Sequence, residues 1–170
     1  MTVYVALLRA VNVGGRVLKM EDLKRIASDL GYGSPRTYIA SGNLLFDSDR
    51  DEAAIKRELS AALRAHMGSA ADVMVRTAPE LAEVVKANPF ASEPGNRVVA
   101  IFFDEPRPAD AIENAKNVDN ERLALGRREI YVHYPSGQGR SKLRLAGTAS
   151  GTARNMNTVA RLAELAREKA

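Results

Sequence analysis

The sequence predicts an α+β protein built from two ferredoxin-like halves, in which helices pack on one face of an antiparallel sheet. Three observations support this class. Apolar, strand-like runs alternate with amphipathic helical patterns, the first half follows the order βαββαβ, and the second half repeats part of that order. We place the first half at residues 1–79 and the second half, with the order α-βαββ-α and a C-terminal helix, at residues 80–170 of one compact chain.

The first half begins with an apolar, β-branched run at residues 3–11, which is typical of a central strand covered on both faces. A glycine-containing loop at residues 12–16 ends the strand, and apolar residues at helical spacing then predict a helix over residues 20–30. Gly31 is a suitable stop for this helix. The remaining elements are a hairpin of strands at 37–40 and 43–46 that turns at Ser41 and Gly42, a helix at 51–67 and a strand at 72–76.

The second half shows a similar succession of patterns. Its elements are a helix at 79–87, a loop at 88–96, a strand at 98–103, a helix at 108–116, hairpin strands at 122–125 and 130–134, a Gly/Ser/Thr-rich loop at 137–156 and a final helix at 157–169. The likeness between the two halves is too faint to define an internal sequence repeat.

Composition excludes several kinds of chemistry. The 170 residues include no cysteine, so disulfides, thiolate zinc sites, iron–sulfur clusters and cysteine nucleophiles are ruled out. We expect a cytoplasmic protein without a signal peptide or membrane span, because the first apolar run is far shorter than the ~20 residues that cross a bilayer. No pattern of a metal site or a cofactor site is present, so we expect neither.

Positive charge is concentrated late in the chain. The net charge is +4, yet residues 127–161 carry seven basic residues against the single acid Glu129. Such a window is either a solvated basic surface or a contact for an anion or a nucleic acid.

The first candidate site lies where two predicted loops converge. In a βαββαβ unit the first and third strands are neighbours, which brings Asn12, Gly14, Gly15 and Arg16 near Ser41, Gly42 and Asn43. Glycines, short polar groups and a helix N-terminus suit a phosphate or carboxylate. The same glycines also suit ordinary turns, and neither the GxGxxG pattern nor the GxxxxGK[ST] phosphate loop is present, so nucleotide binding is not implied.

The second candidate site follows the last predicted hairpin. His133 ends a strand, and Arg140, Ser141 and Lys142 follow among glycines in a loop that could cradle an oxyanion. An ordinary solvated loop has the same composition. His133 lacks a nucleophile or a metal partner in the pattern, as does His66, so both histidines are expected to be structural.

Five stretches together resemble the domain of unknown function family 1697. They are residues 4–15, 37–43, 133–135, 139–143 and 152–155. The resemblance implies a two-part α/β architecture in bacterial cytosolic proteins and supplies no activity. The last stretch adds Arg154 and Asn155 to the candidate ligand-binding residues, although Asn155 also suits the cap of the final helix.

The favoured function is a binding module for an anionic ligand, either a phosphate- or carboxylate-bearing small molecule or a nucleic acid. One alternative is an enzyme that acts on a small anionic substrate between the two halves, with Arg9 among the charged residues that gather there. Another is a protein-interaction or dimerisation domain. The sequence nominates no catalytic residue and leaves open whether the protein is an enzyme, what its oligomeric state is, and whether the loops of Gly14 and Arg140 form one site.

Overall fold

A computed structural model of the chain describes residues 1–9, 17–39, 42–69, 71–104, 107–145 and 151–169. Within these ranges the chain forms eight β-strands and four α-helices, which confirms the predicted α+β class. The strands are β1 (Thr2–Leu8), β2 (Gly33–Thr37), β3 (Asn43–Ser48), β4 (Val73–Thr77), β5 (Val98–Phe102), β6 (Arg122–Leu125), β7 (Glu129–His133) and β8 (Thr152–Asn155). The helices are α1 (Met20–Asp29), α2 (Glu52–Met67), α3 (Ala78–Lys86) and α4 (Met156–Lys169). No helix in the described ranges is long and apolar enough to cross a membrane.

The chain divides into two compact units. The first comprises Met1–Leu81 and Leu162–Ala170, and the second comprises Ala82–Arg161. The described residues of each unit form one four-stranded sheet in which all neighbouring strands are antiparallel. The strand order is β2-β3-β1-β4 in the first unit and β6-β7-β5-β8 in the second. The two sheets therefore share one topology, with the fourth strand of each unit at an edge.

The first unit has the predicted element order, β1-α1-β2-β3-α2-β4. Tyr4 and Phe46 lie on one face of the sheet, where they share a core with Leu23 of α1 and Leu59 of α2. Because side chains alternate along a strand, Leu45 lies on the opposite face.

Helix α2 is capped at both ends. The Asp51 carboxylate accepts a hydrogen bond from the Ala54 N–H at 2.8 Å, as expected of an N-cap. At the other end Gly68 has a φ of +75°, a left-handed conformation that glycine adopts readily. These caps explain why the predicted and observed bounds of α2 agree closely.

The second face of this sheet is also partly covered. Leu45 of β3 and Leu165 of α4 line a common cavity of about 220 Å³. Nearby, the Lys169 ammonium donates to the Ser34 carbonyl at 2.8 Å and lies 3.4 Å from an oxygen of Asp47. The C-terminal end of α4 is thereby fastened to the sheet of the first unit.

The second unit differs from its prediction in two places. The predicted helix at 108–116 was wrong, because these residues form turns whose hydrogen bonds mix two spacings. Ala115 N–H donates to the Ile112 carbonyl, whereas Asn114 N–H donates to the Asp110 carbonyl. A short helix forms too few hydrogen bonds to offset the free-energy cost of nucleation unless it packs well against the rest of the protein.

The other difference is β8, which lies within the stretch predicted as a loop, residues 137–156. Its sequence is Thr-Ala-Arg-Asn, and its buried side chains, Thr152 and Arg154, are polar. The usual alternation of apolar and polar residues is therefore absent, and the strand is recognisable only by its pairing with β5.

Candidate ligand-binding cavity

The two faces of the second sheet carry different groups. Along β7, Ile130 and Val132 belong to an apolar cluster that also contains Tyr134, directly after the strand. Tyr131 and His133 alternate with them and so lie on the opposite face. The Tyr131 hydroxyl donates to the carbonyl of Val84 in α3 at 2.7 Å, which places α3 over that opposite face.

A cavity of about 230 Å³ lies on the face of the apolar cluster. Its lining residues come from β5, from the segment after β7 and from β8, and they are Ile101, Tyr134, Gln138, Leu143, Leu145, Gly151 and Ala153. In the described ranges no α-helix of this unit lies between β7 and β8. The part of the wall that does not come from β5 and β8 therefore consists of residues outside α-helices and strands.

Tyr134 has an unusual environment among the tyrosines. Its side chain is only 8% exposed, yet its hydroxyl makes no hydrogen bond to any residue that the structure describes. The other buried tyrosines of these ranges all donate one. Tyr4 and Tyr131 donate to backbone carbonyls at 2.7 Å, and Tyr32 donates to the Glu58 carboxylate at 3.2 Å. A buried hydroxyl without a partner costs free energy, which a ligand in the cavity would recover.

The Tyr134 hydroxyl remains protonated at neutral pH. Burial, and to a smaller extent the nearby charge of Glu121, raise the pKa of Tyr134 above its usual value of 10.0. The phenol is therefore a neutral hydrogen-bond donor, which can approach an anion without charge repulsion.

The segment that leads from Tyr134 into the cavity wall is held in place by several hydrogen bonds. The Arg97 guanidinium donates to the Pro135 carbonyl at 2.8 Å, and the Gly137 N–H donates to the Tyr134 carbonyl at 2.9 Å. Gly137 has a φ of +89°, so a side chain at this position would strain the turn. This segment is therefore fixed where it leaves the sheet.

Ser141 anchors the next part of the same segment. Its hydroxyl donates to the Glu121 carboxylate at 2.7 Å, and its oxygen accepts a hydrogen bond from the Leu143 N–H at 3.2 Å. Glu121 also accepts from the Asp119 N–H at 2.8 Å. These two hydrogen bonds, that from Asp119 first, lower the pKa of Glu121 below its usual 4.5. Ser141, a predicted ligand-binding residue, thus has a clear structural role.

Arg140 and Lys142 flank Ser141 and lie between the wall residues Gln138 and Leu143. Both side chains are exposed, and neither forms an ion pair within the described part of the chain. The segment consequently carries two exposed positive charges close in sequence to the cavity wall.

The structure does not bring His133 to this cavity. The His133 ring lies on the opposite face, 3.5 Å from a Glu93 oxygen through Nε2. Its Nδ1 is 3.1 Å from an Arg122 nitrogen, so Nδ1 acts as the acceptor and Nε2 carries the proton. Arg122 lies 5.1 Å above the Phe90 ring and also contacts Glu93. This cluster links β6 and β7 to the stretch that precedes β5.

Arg154 and Asn155 also lie away from the cavity. Arg154 alternates with the wall residue Ala153 and is buried on the opposite face, where it donates to the Thr152 hydroxyl at 2.9 Å. Burial lowers the pKa of Arg154 to about 10, so the guanidinium is charged at neutral pH. The Asn155 side chain accepts from the Thr158 N–H at 3.0 Å, which shows the capping role that the sequence had offered for it.

The first candidate site is described only in part. Asn12, Gly14, Gly15, Arg16 and Ser41 lie outside the described residues.

The described members of that site have structural contacts. The Leu8 N–H donates to the Gly42 carbonyl at 2.8 Å, so the end of β1 lies beside the β2–β3 turn. Gly42 has a φ of +87°, and the buried Asn43 amide donates to the Tyr38 carbonyl at 2.9 Å; both features shape the turn. Arg9 pairs with Asp72 at 3.4 Å on the surface.

Sequence reasoning did not include Tyr134 among the candidate site residues, although it lines the cavity. The nearest signal was the strand alternation itself, since it places Tyr134 on the face opposite His133. Among the described residues there is also no group of three or more His, Asp or Glu side chains that could hold a metal ion.

The comparisons with known proteins agree with this architecture. A model of the family described as "Protein of unknown function (DUF1697)" matches residues 1–131, and the chain belongs to that family. Most of the cavity wall lies beyond the matched residues.

One solved structure is similar over almost its whole length. The conserved bacterial protein SP0830 from Streptococcus pneumoniae is 22% identical, with a TM-score of 0.83 over 98% of this chain and 99% of that one. At this identity the likeness establishes the fold alone. No curated protein matches the chain.

Proposed function

We propose that the protein is a binding module for a small anionic molecule, which occupies the cavity beside Tyr134. The observation that carries the proposal is the buried residue Tyr134, which lines a cavity of about 230 Å³ and whose hydroxyl lacks a hydrogen-bond partner among the described residues. A ligand oxygen that accepts this hydrogen bond would remove the cost of burying the phenol unpaired.

The charge of the bordering segment favours an anion. Arg140 and Lys142 are exposed and carry positive charges without ion-pair partners in the described ranges. Their attraction is long-ranged at low ionic strength and is screened over about 10 Å at 0.1 M salt. They would thus guide an anion to the cavity, and Tyr134 would bind it there.

Binding is a better match to these groups than catalysis. Within the described cavity wall there is no histidine and no carboxylate to act as a general base, because His133 lies on the other sheet face. A cytosolic setting stays our expectation, based on the absence of cysteine.

The proposal is tested by isothermal titration of the chain with glycerol 3-phosphate, lactate and inorganic phosphate at low salt. At least one of these anions should bind, whereas uncharged glycerol should not. Y134F should lower the affinity about three- to tenfold, since it removes one hydrogen bond.

A charge-matched pair of double variants separates local from general electrostatics. R140Q/K142Q should lower the affinity at least tenfold, if the two cations attract the anion as charge-assisted donors do. K86Q/R127Q removes the same charge from α3 and from the β6–β7 turn, both exposed sites remote from the cavity wall in the chain. Equal losses in the two double variants, or no binding of any of these anions by the wild type, would contradict the proposal.

A further inference from the structure

We infer that the ligand is a carboxylate or phosphate carried by a short, hydroxylated carbon chain. This inference rests on the proposed function and specifies the class of molecule that the same cavity takes. The inference excludes nucleotides as the main ligand, and it also excludes nucleic acids, which the basic window had left open.

The size of the cavity sets the first limit. An engineered cavity of about 150 Å³ in another protein binds benzene, so 230 Å³ accommodates roughly 9 non-hydrogen atoms. Drug-sized ligands occupy roughly 300–1,000 Å³. A three-carbon hydroxy acid or phosphate ester fills this open cavity, whereas most of a nucleoside monophosphate would extend from it into solvent.

The wall chemistry sets the second limit. Polar atoms predominate on its exposed surface, and Tyr134 and Gln138 are the wall residues with polar side chains. Strand β8 also lies at the edge of the described sheet, so some of its peptide groups face away from β5 beside Gly151 and Ala153. Hydroxyl groups on the ligand would satisfy these donors and acceptors, whereas an aliphatic chain would leave them unpaired.

Carbon groups complete the wall. Ile101, Leu143 and Ala153 present apolar side chains to the cavity. An inorganic anion alone would leave this surface in contact with water, so a ligand with a carbon skeleton gains additional affinity from its burial.

The experiment compares pairs of ligands that share one anionic group. Glycerol 3-phosphate is titrated against propyl phosphate, and lactate against propionate, with inorganic phosphate and AMP as size standards. We expect the hydroxylated member of at least one pair to bind about three- to tenfold tighter per hydroxyl group. Inorganic phosphate and AMP should both bind more weakly than that ligand.

Different failures have different meanings. If propyl phosphate and propionate bind as tightly as their hydroxylated partners, or if AMP binds as well as they do, the ligand class is wrong while the proposed anion-binding function stands. If inorganic phosphate binds as tightly as the organic anions, the carbon skeleton is not recognised and the inference also fails. If none of the anions binds, both proposals fail together.

A cavity-filling variant localises any binding that is seen. A153L extends a wall side chain into the cavity and should abolish binding of the organic anions. A82L adds the same carbons at an exposed position of α3 outside the wall and should retain binding. Unchanged thermal unfolding confirms that both variants are folded. Retention of full affinity in a folded A153L protein would place the ligand elsewhere and overturn the inference.

Discussion

The two units have sheets of the same topology, but the chain connects the third strand to the fourth differently in each. In the first unit the chain passes from the third strand, β3, to the fourth, β4, through the 16-residue helix α2. In the second unit the described residues of the corresponding passage, from β7 to β8, form a short 3₁₀ helix, Gln138–Arg140, and no α-helix. Helix α2 fills the space over its sheet, whereas the described part of the second passage borders a cavity of about 230 Å³.

Equivalent positions on the edge strands β4 and β8 differ in side-chain size and burial. Val75 of β4 pairs with β1 and is 1% exposed in the core beneath the helices. Ala153 of β8 pairs with β5 at the matching place, but it is smaller, exposed and part of the cavity wall. A shared topology can therefore carry a packed core in one unit and a ligand cavity in the other.

The opposite faces of the two edge strands are alike. Arg76 and Arg154 are both buried, and each donates from Nη1 to the carbonyl of the preceding residue at 3.0 Å. In both units the next residue, Thr77 or Asn155, caps the helix that follows. Each side chain accepts a hydrogen bond from an N–H in the first turn of that helix. The two units are thus alike where the fourth strand leads into a helix, and they differ where the cavity lies in the second unit.

The largest difference between the units is expected from truncation of the residues that cover each sheet. L59A removes a fully buried side chain of α2 and should lower the free energy of unfolding by about 2–5 kcal/mol. L143A truncates a half-buried cavity wall and should cost roughly 1 kcal/mol or less, since less apolar surface is lost. Urea denaturation monitored by circular dichroism measures both. Equal losses would show that the second unit is packed as tightly as the first.

Enlarging the matched edge-strand residues should have opposite results. V75L adds volume to a filled core and should destabilise the protein by about 1–3 kcal/mol. A153L places the added carbons in a cavity, so its free energy of unfolding should stay the same or rise. The same denaturation experiment compares them. A loss in A153L as large as that in V75L would mean that the cavity does not admit a larger side chain.

Tyrosine hydroxyls offer a finer comparison within the second unit. Y131F removes the hydrogen bond to the Val84 carbonyl and leaves that buried acceptor unpaired, which should cost about 1–3 kcal/mol. Y134F removes a hydroxyl that has no partner among the described residues, so the stability of the free protein should hardly change. Thermal unfolding without ligand distinguishes the two variants. Comparable destabilisation would reveal a structural partner for Tyr134.

Elements with strong local signals could be predicted from the sequence. Helix α2 was placed within one residue because Asp51 and Gly68 mark its ends and apolar residues recur along one side. Strand β8 was missed because its inward side chains are polar, and a helix was expected at 108–116 from spacing that packing does not support. Strand β2 of the first unit was also misplaced, because it was expected at 37–40 and forms at Gly33–Thr37.

The candidate site was less predictable for a physical reason. The motif at residues 139–143 contains the predicted residues Arg140 and Lys142, which are exposed neighbours in sequence of the wall residues Gln138 and Leu143. What distinguishes Tyr134 is the lack of a partner for a buried hydroxyl, which depends on contacts between distant parts of the chain. No local pattern encodes such a property.

The smallest expected effect concerns the tether that holds the irregular passage in place. Hydrogen bonds from Asp119 and Ser141 lower the pKa of Glu121 in the folded chain, while its usual value is 4.5. Its contribution to stability should therefore be fully present above about pH 4.5, and it should be lost as the pH falls through the lowered folded pKa. S141A should move the Glu121 pKa upward, which carboxyl-carbon NMR titration can follow directly. In the first unit the corresponding passage has its own carboxylate contact, the Asp51 cap of helix α2, which S141A leaves unchanged. If the Glu121 pKa is the same in S141A and in the wild type, Ser141 does not tether this segment in solution.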